Sequence, residues 1–462
     1  MVRTRIAPSP TGYPHIGTIY QALFNYAFAK KNNGKFLIRI ENTDRARFVE
    51  GAEEVIFEAI DWFGLTENES SRKVGEYGPY RQSERLEIYH TYAQELIDKD
   101  FAYFAYYAKA DAGQKKDYTH TVVEKKKVTT QAPPKTIAEM IKRGDWILRM
   151  RAPKDKDTVV HDEIRGEIVF TPDQVTEQVL VKSDGFPTYH LAAIVDDHLM
   201  GITHVVRGEE WISSAPKHVL LYRYFGWDIP KLYHTPTLRN PDKSKLSKRH
   251  GHTNVQWFRE EGYLPEAILN FLALMGWTHP EAQEVFSMEE FISLFELKDI
   301  RQVGPIFDLT KLTWMNGEYI RKMDVASLVA ELKEFYSFVD QSLESLDEKT
   351  LFAIVSIAQS RIATLKEFYP LISHFLPEAK FHITTDEDKK IAETLKDEFL
   401  KIERWNKETI LEALRIILKT HSIRMPILYT IITGHERGLP LPESLEILGK
   451  ETSLDRLNKA LS

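Results

Sequence analysis

Pro8-Ser9-Pro10-Thr11-Gly12-Tyr13-Pro14-His15-Ile16-Gly17-Thr18 is the stretch on which the reading of this chain turns. Its prolines and Gly12 keep residues 8–14 out of a helix. Upstream, residues 3–7 can form a short strand. Downstream, Ile19, Ala22, Leu23, Tyr26 and Ala27 recur at helical spacing. Asn32-Asn33-Gly34 closes that helix, and Phe36-Leu37-Ile38-Arg39-Ile40 reads as the next strand. A strand, crossover helix and strand of this size imply a parallel sheet with a right-handed connection. Ligands sit outside the carboxyl ends of such strands, which places the 8–18 loop and residues 41–44 on one rim.

Working outward, residues 191–195 and 204–207 are apolar and β-branched and read as two further strands, followed by a helical run over 213–225. The intervening region, about 84–188, differs. It opens on an amphipathic helix (Leu86, Tyr89, Tyr92, Ala93, Leu96), turns Lys-rich at Lys115-Lys116 and Lys125-Lys126-Lys127, and ends in strand-like pieces at 146–150 and 167–170. The simplest organisation is a domain inserted into a split nucleotide-binding fold. Boundaries fall at 1–83, 84–188, 189–244, 245–325 and 326–462. The last segment is helical, with a subdivision near 380.

Composition narrows the class without naming a function. The 462 residues are 43% hydrophobic and 28% charged, which excludes disordered, collagen-like and coiled-coil chains. There is no cysteine, so disulfides, thiolate nucleophiles, iron–sulfur clusters and thiolate zinc sites are ruled out. The formal charge is −7, and residues 326–462 hold 18 Lys and Arg against 22 Asp and Glu, so bulk charge points to no nucleic acid. The longest apolar stretch, 268–277, is interrupted by Asn270 and falls short of the roughly 20 residues of a membrane helix. No signal pattern opens the chain, and the expectation is a cytoplasmic protein with no membrane partner.

Two motifs carry chemistry. His15 and Gly17 stand where a loop meets a helix N-terminus, a place that favours phosphate. A histidine there can donate to a phosphoryl oxygen as charge develops, and Gly17 lets a base approach the backbone. The second motif is Lys243-Ser244-Lys245-Leu246-Ser247-Lys248-Arg249-His250-Gly251. A lone lysine run is usually a solvated face, but close-set lysines on a Gly- and Ser-bearing loop can clamp departing phosphates. Together, in this order on two halves of a split sheet, the motifs resemble the HIGH and KMSKS sequences of class I aminoacyl-tRNA synthetases.

The resemblance narrows to bacterial-type glutamyl-tRNA synthetases through residues 3–18, 40–47, 78–85, 182–189, 195–200, 207–211, 238–251, 314–321, 361–368 and 445–451. It implies a split Rossmann-like α/β catalytic domain, an inserted α+β acceptor-binding domain and an all-helical anticodon-binding region. It implies glutamate–tRNA ligase activity with ATP and Mg²⁺, and as partners L-glutamate and tRNA(Glu), with tRNA(Gln) as a second candidate and a monomeric state. A glutamate pocket needs guanidinium groups, a carboxylate and an aromatic. Arg5 and Arg207 are the cationic candidates, their forked donors suiting carboxylates. Glu41 can hold the ammonium, Tyr189 can add a phenolic donor and Ser9 a hydroxyl. The resemblance adds Ala7 to the glutamate set. It implies His15, Gly17, Glu210, Leu238, Lys245, Ser247 and Lys248 for ATP, with His15, Lys245 and Lys248 catalytic. For tRNA it points to Arg47, Lys115, Lys116, Arg361 and the 433–439 segment.

The chain departs from its relatives at Asn42, where many have Asp, at Ala193, where some have Asn, and at Thr18, which replaces the second His of HIGH. The zinc site of some relatives is excluded by the missing cysteines. Asp196-Asp197-His198, with His190 nearby, could suggest a metal. Adjacent carboxylates are not spaced to converge on one ion, and the reading is an acidic loop supporting the pocket. Competing classes are a non-catalytic tRNA-binding paralogue, a short relative that glutamylates a tRNA base, a nucleotidylyltransferase and a glutaminyl enzyme. Intact His15, Lys248 and Arg207 disfavour the first, the long helical C-terminus the second and fourth, and the amount of additional chain the third.

Overall fold

Strands β1 (Arg3–Ile6) and β2 (Lys35–Ile38) lie parallel, Arg5 opposite Leu37, and helix α1 (Ile16–Lys31) joins them. The computed structural model describes residues 1–44, 47, 49–106, 132–246, 253–377 and 379–461. Extended His15 caps α1, its Nδ1 accepting the Gly17 N–H at 2.9 Å. Lys30 and Lys31 suit the negative end of the helix, and Asn33, at φ 49°, turns the chain into β2. Ile19, Leu23, Phe24 and Ala27 are buried along α1. Asn25, buried among them, donates to the Val206 carbonyl, while its own carbonyl accepts from Thr4 Oγ1. This packing is close enough to fix a glycine: a Cβ on Gly276 would stand 2.6 Å from Phe24 Cζ and from Tyr20 Oη.

The unit formed by Met1–Gln256 and Leu269–Asp308 continues with α2 (Ala52–Trp62), α3 (Leu86–Asp98), β3 (Ala102–Tyr106), α4 (Ile137–Arg143), β4 (Trp146–Met150), β5 (Thr158–Asp162), β6 (Gly166–Phe170) and β7 (Val179–Val181). After these come α5 (Tyr189–Leu199), β8 (His204–Gly208), α6 (Ala215–Phe225) and β9 (Lys231–Thr235). Strands β8 and β9 are parallel, and the Thr203 N–H donates to the Arg3 carbonyl, setting β1 beside β8. Strands β3, β4 and β7 make a separate antiparallel sheet within the insertion.

Two expectations are corrected. Residues 191–195, expected as a strand, form the middle of helix α5; a short apolar run buried on all sides does not distinguish the two. The Asp196-Asp197 pair is therefore helical rather than a loop. It aims one carboxylate at α3 and the other at β1 and β2. The second correction concerns 167–170, expected among the insertion's own strands and found within β6. It forms a hairpin with β5, and β5 adds in parallel to the edge of β9 at Asp162 and Leu232. Asp162 Oδ2 accepts the His234 N–H at 3.0 Å, which pins that edge.

The second unit, Trp257–Ile268 with Leu309–Ser462, is helical. In chain order α7 (Val255–Glu260), α8 (Pro265–Gly276) and α9 (Met288–Leu294) come first, α9 belonging to the first unit; the second unit continues with α10 (Leu309–Lys322), α11 (Val325–Phe338), α12 (Glu348–Ala358) and α13 (Phe368–Ile372). Helices α14 (Asp386–Lys401), α15 (Lys407–Thr420), α16 (Met425–Thr433), α17 (Leu441–Leu448) and α18 (Lys450–Leu461) complete it. Asp324, Asp347, Thr385 and Asn406 cap helices by accepting backbone N–H groups three residues on. One hydrophobic cluster centres on α11 to α13 and reaches Phe375; another begins at Phe381 and runs through α14 to α18.

Asp196→Ala should strand the Arg85 guanidinium and cost about 3–5 kcal/mol. Hydrogen exchange of the α3 and α5 amides measures it, and unchanged protection in both helices would remove the ion network's structural role.

Candidate active site

The Glu41 N–H donates to the Pro8 carbonyl and the Arg39 N–H to the Ile6 carbonyl, so the 8–18 loop and residues 41–44 do share a rim. A Cβ on Gly17 would come within 3.0 Å of His15 Nδ1, so this position keeps the capping imidazole in place by being glycine. Ile16 N–H donates to Thr253 O at 2.7 Å and Val255 N–H to Pro14 O at 3.2 Å. The chain re-entering at Thr253 is thus fastened to the His15 turn. On the departing side, Leu246 N–H donates to Leu238 O, and Lys245 Nζ meets Glu210 Oε1 at 3.1 Å. Glu210, Leu238 and Lys245 are thereby brought together. Ser247, Lys248, Lys115 and Lys116 lie outside the described residues.

Beneath the rim runs an ion network of buried groups. Arg5 donates Nε and Nη2 to Asp197 at 3.0 and 2.9 Å. Arg39 donates Nη1 to Asp197 at 2.7 Å and Nη2 to Glu41 at 3.2 Å. Asp196 takes Arg85 Nε at 2.7 Å, Gln82 Nε2 at 2.9 Å and Tyr89 Oη at 2.8 Å. Burial alone would raise the Asp197 carboxyl, but Arg5 and Arg39 hold it below its ordinary range. Glu41 has weaker support. Burial pushes its carboxyl up to about 7, although Arg39 and Arg5 pull the other way.

Arg207, at the end of β8, is held differently. Its Nε donates to His234 Nε2 at 3.0 Å, and its Nη1 meets His218 Nδ1 at 3.0 Å and Tyr189 Oη at 3.2 Å. Its Nη2 is buried with no hydrogen-bond partner. Tyr189 packs on Trp211 with ring centroids 4.3 Å apart. Burial raises the Tyr189 phenol, with Arg207, Glu41 and Arg5 all close enough to act on it. The structure therefore gathers Arg5, Glu41, Tyr189 and Arg207 around one space. Ala7 is half-buried on the same rim and Ser9 is exposed.

Other residues singled out in the sequence have local partners. Asn42 exchanges two hydrogen bonds with Ser83, and Ala193 is buried. Exposed Arg47 pairs with Asp44 at 2.6 Å. Arg361 donates to the Gly438 carbonyl at 3.2 Å, and a cavity of about 400 Å³ lined by His374, Thr433, His435 and Arg437 lies in the same helical unit. Sequence reasoning did not single out Arg39, His218 or His234. The available signal was a lone arginine in the apolar run 36–40; the histidines lie in stretches that read as core.

A parallel-sheet unit interrupted by an insertion, with a helical unit in the same chain, is the architecture of a class I aminoacyl-tRNA synthetase. Residues 1–314 match the family model described as tRNA synthetases class I (E and Q), catalytic domain, and residues 327–461 match the anticodon binding domain. The chain is 44% identical to the glutamate–tRNA ligase of Thermus thermophilus over the full length of both, and 39% identical to that of Fusobacterium nucleatum over 99% of this chain and 96% of the relative. A crystal structure of a glutamate tRNA ligase from Elizabethkingia meningosepticum in complex with its amino acid superposes with a TM-score of 0.82 at 33% identity, covering 100% of this chain and 99% of the other. The chain belongs to the glutamate–tRNA ligase family.

A carboxyl raised in the fold favours the folded state at low pH and loses that advantage as the pH climbs from its unfolded value, 4.5, through about 7. Glu41→Gln should therefore gain stability on the parent across that window, by at most about 3 kcal/mol. Urea unfolding followed against pH tests this; a difference independent of pH would contradict it.

Proposed function

We propose that this enzyme joins L-glutamate to tRNA(Glu) in two steps at the rim just described. An oxygen of the substrate's α-carboxylate bonds to the α-phosphorus of ATP, the bond to the β-phosphate bridge breaks, and diphosphate leaves. The 2′-hydroxyl of the 3′-terminal adenosine then attacks the glutamyl carbonyl, loses its proton and displaces AMP. His15 donates to the α-phosphoryl oxygen, while Lys245 and Lys248 neutralise the departing phosphates. Gly17, Glu210, Leu238 and Ser247 hold the nucleotide. No covalent enzyme intermediate is needed; catalysis is positioning and charge stabilisation.

The observation that carries the reading is Arg207. Its charge has no carboxylate beside it, and its Nη2 is buried and unpartnered. The α-carboxylate must keep its lone pairs for phosphorus, so the side-chain carboxylate is assigned to Arg207 and Tyr189. Arg5, whose charge Asp197 shares, and Ser9 orient the α-amino acid end, and ionised Glu41 takes the ammonium. Mg²⁺ accompanies the nucleotide. Among the described residues no group of three His, Asp or Glu could hold a metal, so the phosphates would carry the ion.

For tRNA, the 84–188 insertion receives the acceptor stem and the 326–462 region the anticodon, with Arg47 and Arg361 as contacts. The enzyme acts as a cytoplasmic monomer. None of the described helices is long and apolar enough to cross a membrane.

Charging purified tRNA with labelled glutamate and ATP tests the whole scheme. His15→Ala and Lys248→Ala should each lower kcat by about 10²–10³ with folding intact, and near-parental rates would remove their roles. Arg207→Gln should raise the glutamate KM by roughly a hundredfold or more while leaving the ATP KM alone. Parallel reactions with tRNA(Gln) decide whether it too is a partner: equal charging makes it one, and none restricts the enzyme to tRNA(Glu).

A further inference from the structure

Five arginines are buried in the catalytic unit among the described residues, and four have a carboxylate partner. Arg3 pairs with Glu69, Arg5 with Asp197, Arg39 with Asp197 and Glu41, and Arg85 with Asp196. Arg207 has imidazoles instead. A guanidinium can only donate, so each imidazole nitrogen facing it must be an unprotonated acceptor. His234 then carries its proton on Nδ1, which donates to Asp162 Oδ2 at 2.7 Å. His218 carries its proton on Nε2, which donates to His190 Nδ1 at 3.1 Å. Both tautomers are fixed by geometry, and in both the ring is neutral.

We propose that His218 and His234, backed by His190 and Asp162, are positioning residues that fix Arg207 without neutralising it, and that this sets the preference for a side-chain carboxylate over a side-chain amide. The proposal rests on the assignment of Arg207 to the side-chain carboxylate made above. A carboxylate in the place of His218 would orient Arg207 equally well but would satisfy its charge. An incoming carboxylate would then be buried without a counter-charge, whereas an amide would lose little. Neutral acceptors separate orientation from neutralisation, and an amide entering the site leaves a buried guanidinium unpaired. The carboxylate behind His234, Asp162, stands a full imidazole away. Its Oδ1 is occupied by the Ile164 and Arg165 N–H groups, and its Oδ2 by the backbone N–H and Nδ1 of His234. Burial, with Arg207 adding to it, pushes His218 far below its ordinary range; His190 falls to about 3 from burial and the nearby Lys217 and Arg207. Burial also lowers His234, although Asp162 pulls the other way.

The test compares His218→Asn with His218→Asp, which place isosteric acceptors in the same position and differ in charge. The ratio of the glutamine inhibition constant to the glutamate KM should stay within a few-fold of the parent in H218N and fall by at least about tenfold in H218D. His234→Leu should raise the glutamate KM about tenfold with kcat and the ATP KM within a few-fold; if it does not fold, the H218N and H218D pair decides. NMR of ¹⁵N-labelled histidines should show neutral rings protonated at Nε2 in His218 and at Nδ1 in His234. An imidazolium at either position, or an unchanged ratio in H218D, overturns the proposal. Arg207→Gln separates the two levels: if it spares the glutamate KM, the assignment of Arg207 fails, and if it does not while H218D keeps the ratio, only the cradle fails.

Discussion

Asp196 and Asp197 sit side by side in α5 with almost no exposed surface, and two carboxylates so placed demand cations. The cations come from elements remote in sequence: Arg5 from β1, Arg39 from just past β2, and Arg85 from the cap of α3. Removing either carboxylate leaves buried arginine charge without its nearest counter-charge and away from water. The network therefore sets the relative position of both β-strands, α5 and α3 far more sharply than apolar packing of the same area would. The substrate space inherits that order, because Arg5 belongs to the network and Glu41 hangs from Arg39.

The opening βαβ unit was legible because its information is local: prolines stop one element, helical spacing marks the next, and Asn-Asn-Gly ends it. Strand β4 fell at the expected residues for the same reason. The reading failed where the deciding contact lies far along the chain. Residues 191–195 are apolar at every position, and only the arginines drawn to Asp196 and Asp197 reveal which side faces which neighbour. The 166–170 hairpin reads as part of the insertion until Asp162 is seen fastening it to His234. Arg5, Glu41, Tyr189 and Arg207, singled out in the sequence for their charges and donors, do stand near one another in the structure. The histidines around Arg207 were not singled out, because a histidine within a buried helix or strand looks like core.

Among the described residues, the buried arginines of the catalytic unit also divide by partner in an informative way. Those matched to carboxylates hold the fold together, and their charge is already satisfied. The one matched to neutral rings keeps its charge available. Burial of a cation is therefore not by itself a functional signal; the chemistry of its acceptors separates a structural group from a receptive one. The same distinction explains how a chain of net charge −7 can serve anionic substrates. Local uncompensated charge does what the overall field does not.

The hairpin of β5 and β6 has a consequence for how such an enzyme can be rebuilt. It arises within the inserted stretch yet donates Asp162 to the imidazole that steadies Arg207. The insertion is thus not a detachable module, however self-contained its three-stranded sheet is. A chimaera that swaps residues 84–188 wholesale also swaps a support of Arg207, so a graft preserves the setting of that guanidinium only when residues 158–170 stay with the recipient. Sequence is freer to diverge in the three-stranded sheet of the insertion than in this hairpin, whose Asp162 is tied to His234.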